Sequence, residues 1–314
     1  MKKQTYELSS KLCDNIAKAI FGKEDTVRLF LCAFLSGGHV LLEDVPGTGK
    51  TSLIRALANS FDGSYKRVQF TPDLLPSDIT GINYYQQSTG EFILRKGPVF
   101  SNLLLADEIN RATPRTQSAL LECMEERQVT IDGETYSLSD IFMVMATMNP
   151  LEFQGTFPLP EAQVDRFMMK LHIGYPTELA EKQIVDRLCN QTSVETLKSV
   201  ATVEDIIKAR EEISQVHISA ALRDYIVRLV RATRDHEKIK LGVSPRGVVA
   251  MANASRTWAA MNGRDFVLPD DVKTLAVPIL AHRLIPVSQG HVQISKSGET
   301  LIEYLLSKVP VPLE

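Results

Sequence analysis

The 314-residue chain has few cysteines, almost no charge surplus and no long apolar run, and each shortage removes a class of protein. Its four cysteines, Cys13, Cys32, Cys123 and Cys189, lie far apart and form no C-x-x-C pair. That spacing excludes a zinc ribbon and a disulfide framework, and reduced thiols in a cytoplasmic protein are expected. The longest apolar run near the N-terminus, residues 29–35, falls well short of the roughly 20 residues that a membrane-spanning helix needs, so no membrane segment is expected. The basic start Met1-Lys2-Lys3-Gln4 is followed by neither an apolar stretch nor a cleavage site, so it does not read as a secretory signal. Lys and Arg number 35 against 38 Asp and Glu, for a net charge of −3. A dedicated duplex-DNA binder would carry a basic footprint instead. What is present is a globular composition, 44% hydrophobic and 23% charged, at a length that suits two domains.

Between residues 40 and 173, short apolar runs alternate with helical periodicity. The runs at 39–42, 67–70, 102–106, 141–147 and 167–173 read as buried strands. Segments 51–61 and 113–126 carry apolar residues at spacings of three and four (Leu53, Ile54, Leu57; Ala119, Leu120, Cys123, Met124) and read as helices. Strands alternating with helices predict an α/β fold with a parallel sheet sandwiched by helices. Beyond Tyr175-Pro176 the strands stop, and helices are expected at 178–190, 203–216, 219–236, 245–262, 269–282 and 299–307. The chain therefore divides into 1–176, an α/β core, and 177–314, a smaller all-α domain. Two hairpins interrupt the core, 82–87 with 91–96 around Ser88-Thr89-Gly90 and 128–131 with 134–138 around Asp132-Gly133. Their strands are long enough to project from the sheet.

The segment Leu41-Leu42-Glu43-Asp44-Val45-Pro46-Gly47-Thr48-Gly49-Lys50-Thr51 leaves an expected strand and enters an expected helix, the context of a phosphate-binding loop. Gly47 and Gly49 let backbone N–H groups converge on a phosphate, and the following helix adds its positive end. Val45, Pro46, Gly47, Thr48, Gly49, Lys50, Thr51 and Ser52 are the expected nucleotide-binding residues, with Lys50 on the β/γ-phosphates and the Thr51 hydroxyl on Mg²⁺. Asp44 holds the place where such loops usually begin with Gly. As a turn-tolerant residue it is expected to be close to neutral for nucleotide binding. Leu103-Leu104-Leu105-Ala106-Asp107-Glu108 is an apolar strand ending in two acids. Asp107 is expected to hold Mg²⁺ through water and Glu108 to act as general base, which implies hydrolysis rather than storage. Asn149, in Ala146-Thr147-Met148-Asn149-Pro150, can orient the attacking water beside the γ-phosphate. Arg166, before the last strand, and Arg246, in the helix opening Ser244-Pro245-Arg246, suit the transition-state charge, one of them contributed by a neighbouring subunit. No N-K-x-D element is present, which disfavours GTP.

In this order, Gly47-Thr48-Gly49-Lys50-Thr51, Asp107-Glu108, Asn149, Arg166 and Arg246 resemble an AAA+ ATPase. Ala106-Asp107-Glu108-Ile109-Asn110-Arg111, Gln117-Ser118-Ala119-Leu120-Leu121-Glu122, Ala146-Thr147-Met148-Asn149-Pro150 and Leu159-Pro160-Glu161-Ala162-Gln163-Val164-Asp165-Arg166-Phe167 resemble, more narrowly, the MoxR family. The resemblance covers essentially the whole chain. It implies a P-loop NTPase core followed by a helical lid, ATP and Mg²⁺ as ligands, and Lys50, Thr51, Asp107, Glu108 and Asn149 acting in cis. Arg166 would be the arginine finger entering a neighbour's site, and Arg246 would be sensor 2, in cis or in trans. Ile20-Phe21-Gly22 matches the segment that packs on adenine. The hairpins match the helix-2 insert and the pre-sensor hairpin of a hexameric ring. By this resemblance the partner is a protein client, in relatives one with a von Willebrand factor A domain. Two alternatives are an MCM-like nucleic-acid motor and a magnesium-chelatase-like subunit. The hairpin charges, Glu91, Arg95 and Lys96 on one and Asp132 and Glu134 on the other, make no basic track. Stable nucleic-acid binding is therefore not expected.

Overall fold

The computed structural model describes residues 4–44, 47–148, 155–189, 197–287 and 294–312. In chain order the first part comprises α1 (Gln4–Ala17), α2 (Glu24–Leu35), β1 (Val40–Glu43), α3 (Lys50–Phe61), β2 (Tyr65–Gln69), α4 (Pro76–Thr80), β3 (Gly81–Gln86), β4 (Glu91–Lys96), β5 (Leu103–Asp107), α5 (Pro114–Glu126), β6 (Gln128–Ile131), β7 (Glu134–Ser137), β8 (Met143–Met148), α6 (Glu161–Val164) and β9 (Met169–Leu171). The remainder comprises α7 (Glu178–Cys189), α8 (Val203–Ser214), α9 (Ala220–Ala232), β10 (Ile239–Leu241), α10 (Pro245–Met261), α11 (Pro269–Leu280), β11 (Ile285–Pro286) and α12 (Ile294–Lys308).

Strands β2-β5-β8-β1-β9 form one sheet in that order, and every pairing is parallel. The three inner strands are buried almost throughout, because helices cover both faces. Alternate residues turn to opposite layers. Val40, Leu42, Leu103, Leu105, Met143 and Met145 join a core with α1, α2, α3 and the later helices. Leu41, Leu104, Ala106, Val144 and Ala146 join a second core with α5 and the hairpin β6–β7. Strand β2 (YKRVQ) has no fully buried residue, as suits its edge position.

The five expected strands and both expected hairpins form. β3 pairs antiparallel with β4, and β6 with β7. At the root of the first hairpin Gly81 has φ +102°, and a Cβ there would meet the Arg95 carbonyl oxygen at 2.4 Å, so the two strands close too tightly for a side chain. One expectation fails: strands do not stop at Pro176. β10 and β11 form a short antiparallel ladder with an irregular register among the later helices. Ile239, Leu241 and Val243 do alternate with Lys240 and Gly242, but the run is short and its partner segment holds Pro286, so the ladder was not expected from the sequence. Helices α1 and α2 were also not singled out in the sequence, although they pack against α8 and α10 and tie the later helices to one face of the sheet.

His39, just before β1, is buried. Its Nδ1 accepts from the Val144 N–H (2.9 Å), which leaves Nε2–H to donate to the Met124 carbonyl (3.1 Å). Burial pushes its pKa down from 6.5 to about 4, and burial pushes the His282 pKa well below 6.5 too. Both rings fold neutral, whereas the unfolded chain takes up protons from about pH 6.5 downward. Stability is therefore full above that pH and falls as pH drops towards 4. In thermal melts between pH 7 and 4, His39→Gln, whose amide can still accept and donate, is expected to show a shallower acid decline than the parent.

Candidate functional site

The loop between β1 and α3 opens onto empty space. Gly47 (φ +85°) and Gly49 (φ +92°) lie in the left-handed region, and a Cβ built on either meets nothing within 4 Å. Both glycines are therefore required by backbone conformation, with open space beside each of them. Lys50 begins α3 and its Nζ donates to the Asp44 carbonyl at 2.7 Å. Its pKa is lowered chiefly by burial, opposed by the carboxylates of Asp44, Asp107 and Glu108. The lysine thus faces the acids at the end of β5, across the space the loop surrounds. Thr48, Thr51 and Ser52 are half-buried around it. Val45, Pro46 and Asn149 lie outside the described residues.

The two acids are held by residues that sequence reasoning did not select. Thr147 on β8 donates its hydroxyl to Asp107 Oδ1 (2.6 Å) and accepts the Glu108 N–H (2.9 Å). From the edge strand β2, Arg67 donates to Asp107 Oδ2 (2.6 Å) and Gln69 Nε2 donates to Glu108 Oε2 (2.8 Å). Glu108 has φ +56°, so its backbone is turned out of the strand direction to present the carboxylate. The available signal was the alternation of Arg67 and Gln69 on a strand, which puts both on one face. That this strand lies beside β5 is a tertiary fact.

An open anion cradle at a helix N-terminus, an ammonium and a facing pair of carboxylates fit a nucleotide phosphate chain with a divalent cation. Among the described residues no group of three or more acidic, His or Cys side chains could hold a metal.

Asp44 is not a passive turn residue. It is 8% exposed, its φ is not positive, and its Oδ2 accepts the N–H groups of Ile173 (2.6 Å) and Gly174 (2.7 Å) just before the later helices begin. Beside it, Lys23 Nζ donates to the Tyr175 carbonyl (2.7 Å), and Gly22 lies against Thr177 and Ala180. The half-buried Phe21 belongs to the same corner. The nucleotide loop, the Ile20-Phe21-Gly22 segment and the start of α7 thus meet at one place.

The two arginines are elsewhere. Arg166 immediately precedes the turn into β9, which runs parallel to β1, so it stands where β1 begins, whereas the loop follows the end of β1. A four-residue strand separates these ends by about 13 Å. Arg246 stands with Arg166: both guanidiniums bond Glu125, Arg166 to Oε2 at 2.9 Å and Arg246 to Oε1. They line a cleft of about 490 Å³ together with His39, Asp165 and Arg283. Asp165 accepts from the Ser244 hydroxyl (2.8 Å) and from Arg283 Nη1 (2.5 Å).

If Asp44 anchors the loop, removing its carboxylate leaves two N–H groups without acceptors, one of them buried, at a cost of about 1–3 kcal/mol. Asp44→Gly and Asp44→Ala are both expected to lower the melting temperature by several degrees. Asp44→Asn, which retains an acceptor oxygen, is expected to recover part of the loss.

Comparison with known proteins places this geometry. Residues 39–169 match the ATPase family associated with various cellular activities (AAA), and residues 231–303 match the AAA lid domain. YeaC of Bacillus subtilis, itself uncharacterized, is 46% identical over 309 residues, covering 98% of this chain and 96% of its own. Chaperone MoxR1 of Mycobacterium tuberculosis is 40% identical over 306 residues, covering 95% of this chain and 80% of its own. Protein MoxR of Paracoccus denitrificans is 32% identical over 93% of both chains. A crystal structure of a candidate ATPase from Cytophaga hutchinsonii, 40% identical, has a TM-score of 0.89 and covers 99% of this chain and 98% of that one. Because the likeness runs through both the sheet and the lid, at identities well beyond those that show a fold alone, the chain belongs to the MoxR family of AAA+ ATPases.

Proposed function

We propose that this chain hydrolyses ATP at sites completed by a neighbouring copy in a ring, and uses the resulting motion to remodel or mature a protein client. The observation that carries the reading is the separation of Arg166 and Arg246 from the chain's own loop and acids, at opposite ends of a parallel sheet. Two arginines that cannot reach the local phosphate, yet stand together beside a cleft, suit the phosphate of another copy. Both would then act in trans, Arg166 as arginine finger and Arg246 as sensor 2. A hexamer is the ring size that the family resemblance favours, with a von Willebrand factor A domain protein as partner.

Within one copy, Lys50 would bind the β/γ-phosphates, and Thr51 and Asp107 would hold Mg²⁺, which neutralises phosphate charge when bound. Glu108 would take the proton from the attacking water, oriented by Asn149. Gln69 donates to Oε2 of the Glu108 carboxylate and would hold it in place, leaving Oε1 to accept the proton. Phe21 and Gly22 would border the adenine.

The hairpin β3–β4 offers a protein client a surface of Ile82, Tyr84, Tyr85 and Phe92, the last 74% exposed. The same aromatics beside Arg95 and Lys96 give a second reading some support, since stacking platforms next to cations also suit single-stranded nucleic acid.

Glu108→Gln is expected to keep ATP binding, measured with a fluorescent analogue, while turnover falls at least about a hundredfold. Lys50→Ala and Arg166→Ala are each expected to be nearly inactive, and mixing them should restore measurable turnover, because a mixed ring joins an intact loop to intact arginines. No recovery on mixing would overturn action in trans. ATPase assays with single-stranded DNA are expected to show no stimulation; a strong stimulation that fades with salt would favour the second reading.

A further inference from the structure

Glu125 sits in the last turn of α5, next to Glu126, in a turn that has no basic residue. The negative end of the helix dipole makes this a poor place for a carboxylate. Its compensation comes from outside the helix: Oε2 takes Arg166 and Oε1 takes Arg246, so each oxygen of one carboxylate holds a different guanidinium. The other cations of the cleft are otherwise engaged. Arg283 bonds Asp165 and backbone carbonyls, and Arg127 donates to the carbonyls of Gly37 and Asp140. Arg246 reaches a second acid only at 3.8 Å, Asp165. Arg166 is left incomplete, because its buried Nε–H has no hydrogen-bond partner among the described residues. An anion with more oxygens and more charge than a carboxylate would complete it.

We propose that Glu125 is an internal stand-in for the phosphoryl group. In the separate protomer it holds Arg166 and Arg246 together and offsets part of their charge; when a neighbouring copy brings a nucleotide phosphate, the phosphate displaces it. A phosphoryl group supplies three acceptor oxygens and up to two charges where Glu125 supplies two oxygens and one charge, so the exchange is directed towards the assembled ring. Glu125 is a positioning residue in this scheme and never touches the reacting atoms. The proposal rests on the reading that both arginines serve a neighbour's site.

The test uses inorganic tripolyphosphate as probe, by calorimetry, on the full chain in a Lys50→Ala background that weakens the local loop. Adding Glu125→Gln is expected to tighten tripolyphosphate binding on the order of tenfold, as the arginines recover a charge-assisted bond. Adding Arg166→Ala as well should abolish the gain. In the Lys50-intact chain, Glu125→Gln should lower the protein concentration giving half-maximal ATPase activity several-fold, with fluorescent-nucleotide affinity unchanged. Glu125→Asp, too short to span both arginines, should fall between parent and Gln and serves if Gln fails to fold. Unchanged or weaker tripolyphosphate binding in whichever variant folds, while the Lys50→Ala and Arg166→Ala mixture still recovers turnover, would overturn the role of Glu125 alone. A mixture that recovers nothing would overturn the trans reading and this proposal with it.

Discussion

The ion pair of Asp165 with Arg283 decides where the arginines stand. Arg283 has a side chain only 2% exposed, and its guanidinium also donates to the carbonyls of Asp165 (2.6 Å), Phe167 (2.7 Å) and Ile279 (2.8 Å). A charge so deeply placed holds only if every donor has a partner, and removing one member of such a pair costs on the order of 3–5 kcal/mol. Asp165 is the residue before Arg166, and the Ser244 that also bonds it caps α10 two residues before Arg246. One carboxylate therefore sets Arg166 on the sheet side and Arg246 on the lid side. Glu125 then draws the two guanidiniums onto a single point.

Parallel strands explain why these arginines are so far from the loop. In a parallel sheet all strands begin at one end and finish at the other, so residues after a strand and residues before one are separated by its whole length. The loop follows β1 and the acids end β5, at the finishing end. Arg166 comes before β9, at the starting end. Assembly into a ring is the simplest way to bring one end of a copy against the other end of the next, and the proposed function depends on that step.

The corner around Asp44 is a different kind of link. Its carboxylate joins the start of the nucleotide loop to Ile173 and Gly174, and Lys23 joins the segment beside the proposed adenine position to Tyr175. These bonds place the start of the loop directly against the point where the chain leaves the sheet for the lid. On the other layer, the hairpin β3–β4 carries exposed aromatics, with the Tyr85 and Phe92 rings 5.5 Å apart, while its root closes tightly at Gly81 and Gly97 and Leu94 packs on the second core.

Much of this molecule was legible in the linear chain. Buried strands read as unbroken apolar runs, Asp132-Gly133 marked a hairpin, and Gly-x-Gly-Lys-Thr between a strand and a helix marked the loop, because each signal depends on neighbours within a few residues. The β10–β11 ladder was missed, since Ile239 pairs with Pro286 and Leu241 with Ile285 across more than forty residues, and the short alternation of Ile239, Leu241 and Val243 names no partner. Thr147, Arg67 and Gln69 gained their places beside Asp107 and Glu108 only from the strand order, which no local pattern states. Asp44 read as a tolerated substitution until the fold brought the N–H groups of Ile173 and Gly174 to it. The sequence by itself determined the family, the sheet-and-lid architecture and the identity of the residues offered for phosphate chemistry. Only the tertiary structure decided that Arg246 stands with Arg166, away from the loop, because that depends on a buried ion pair between segments more than a hundred residues apart.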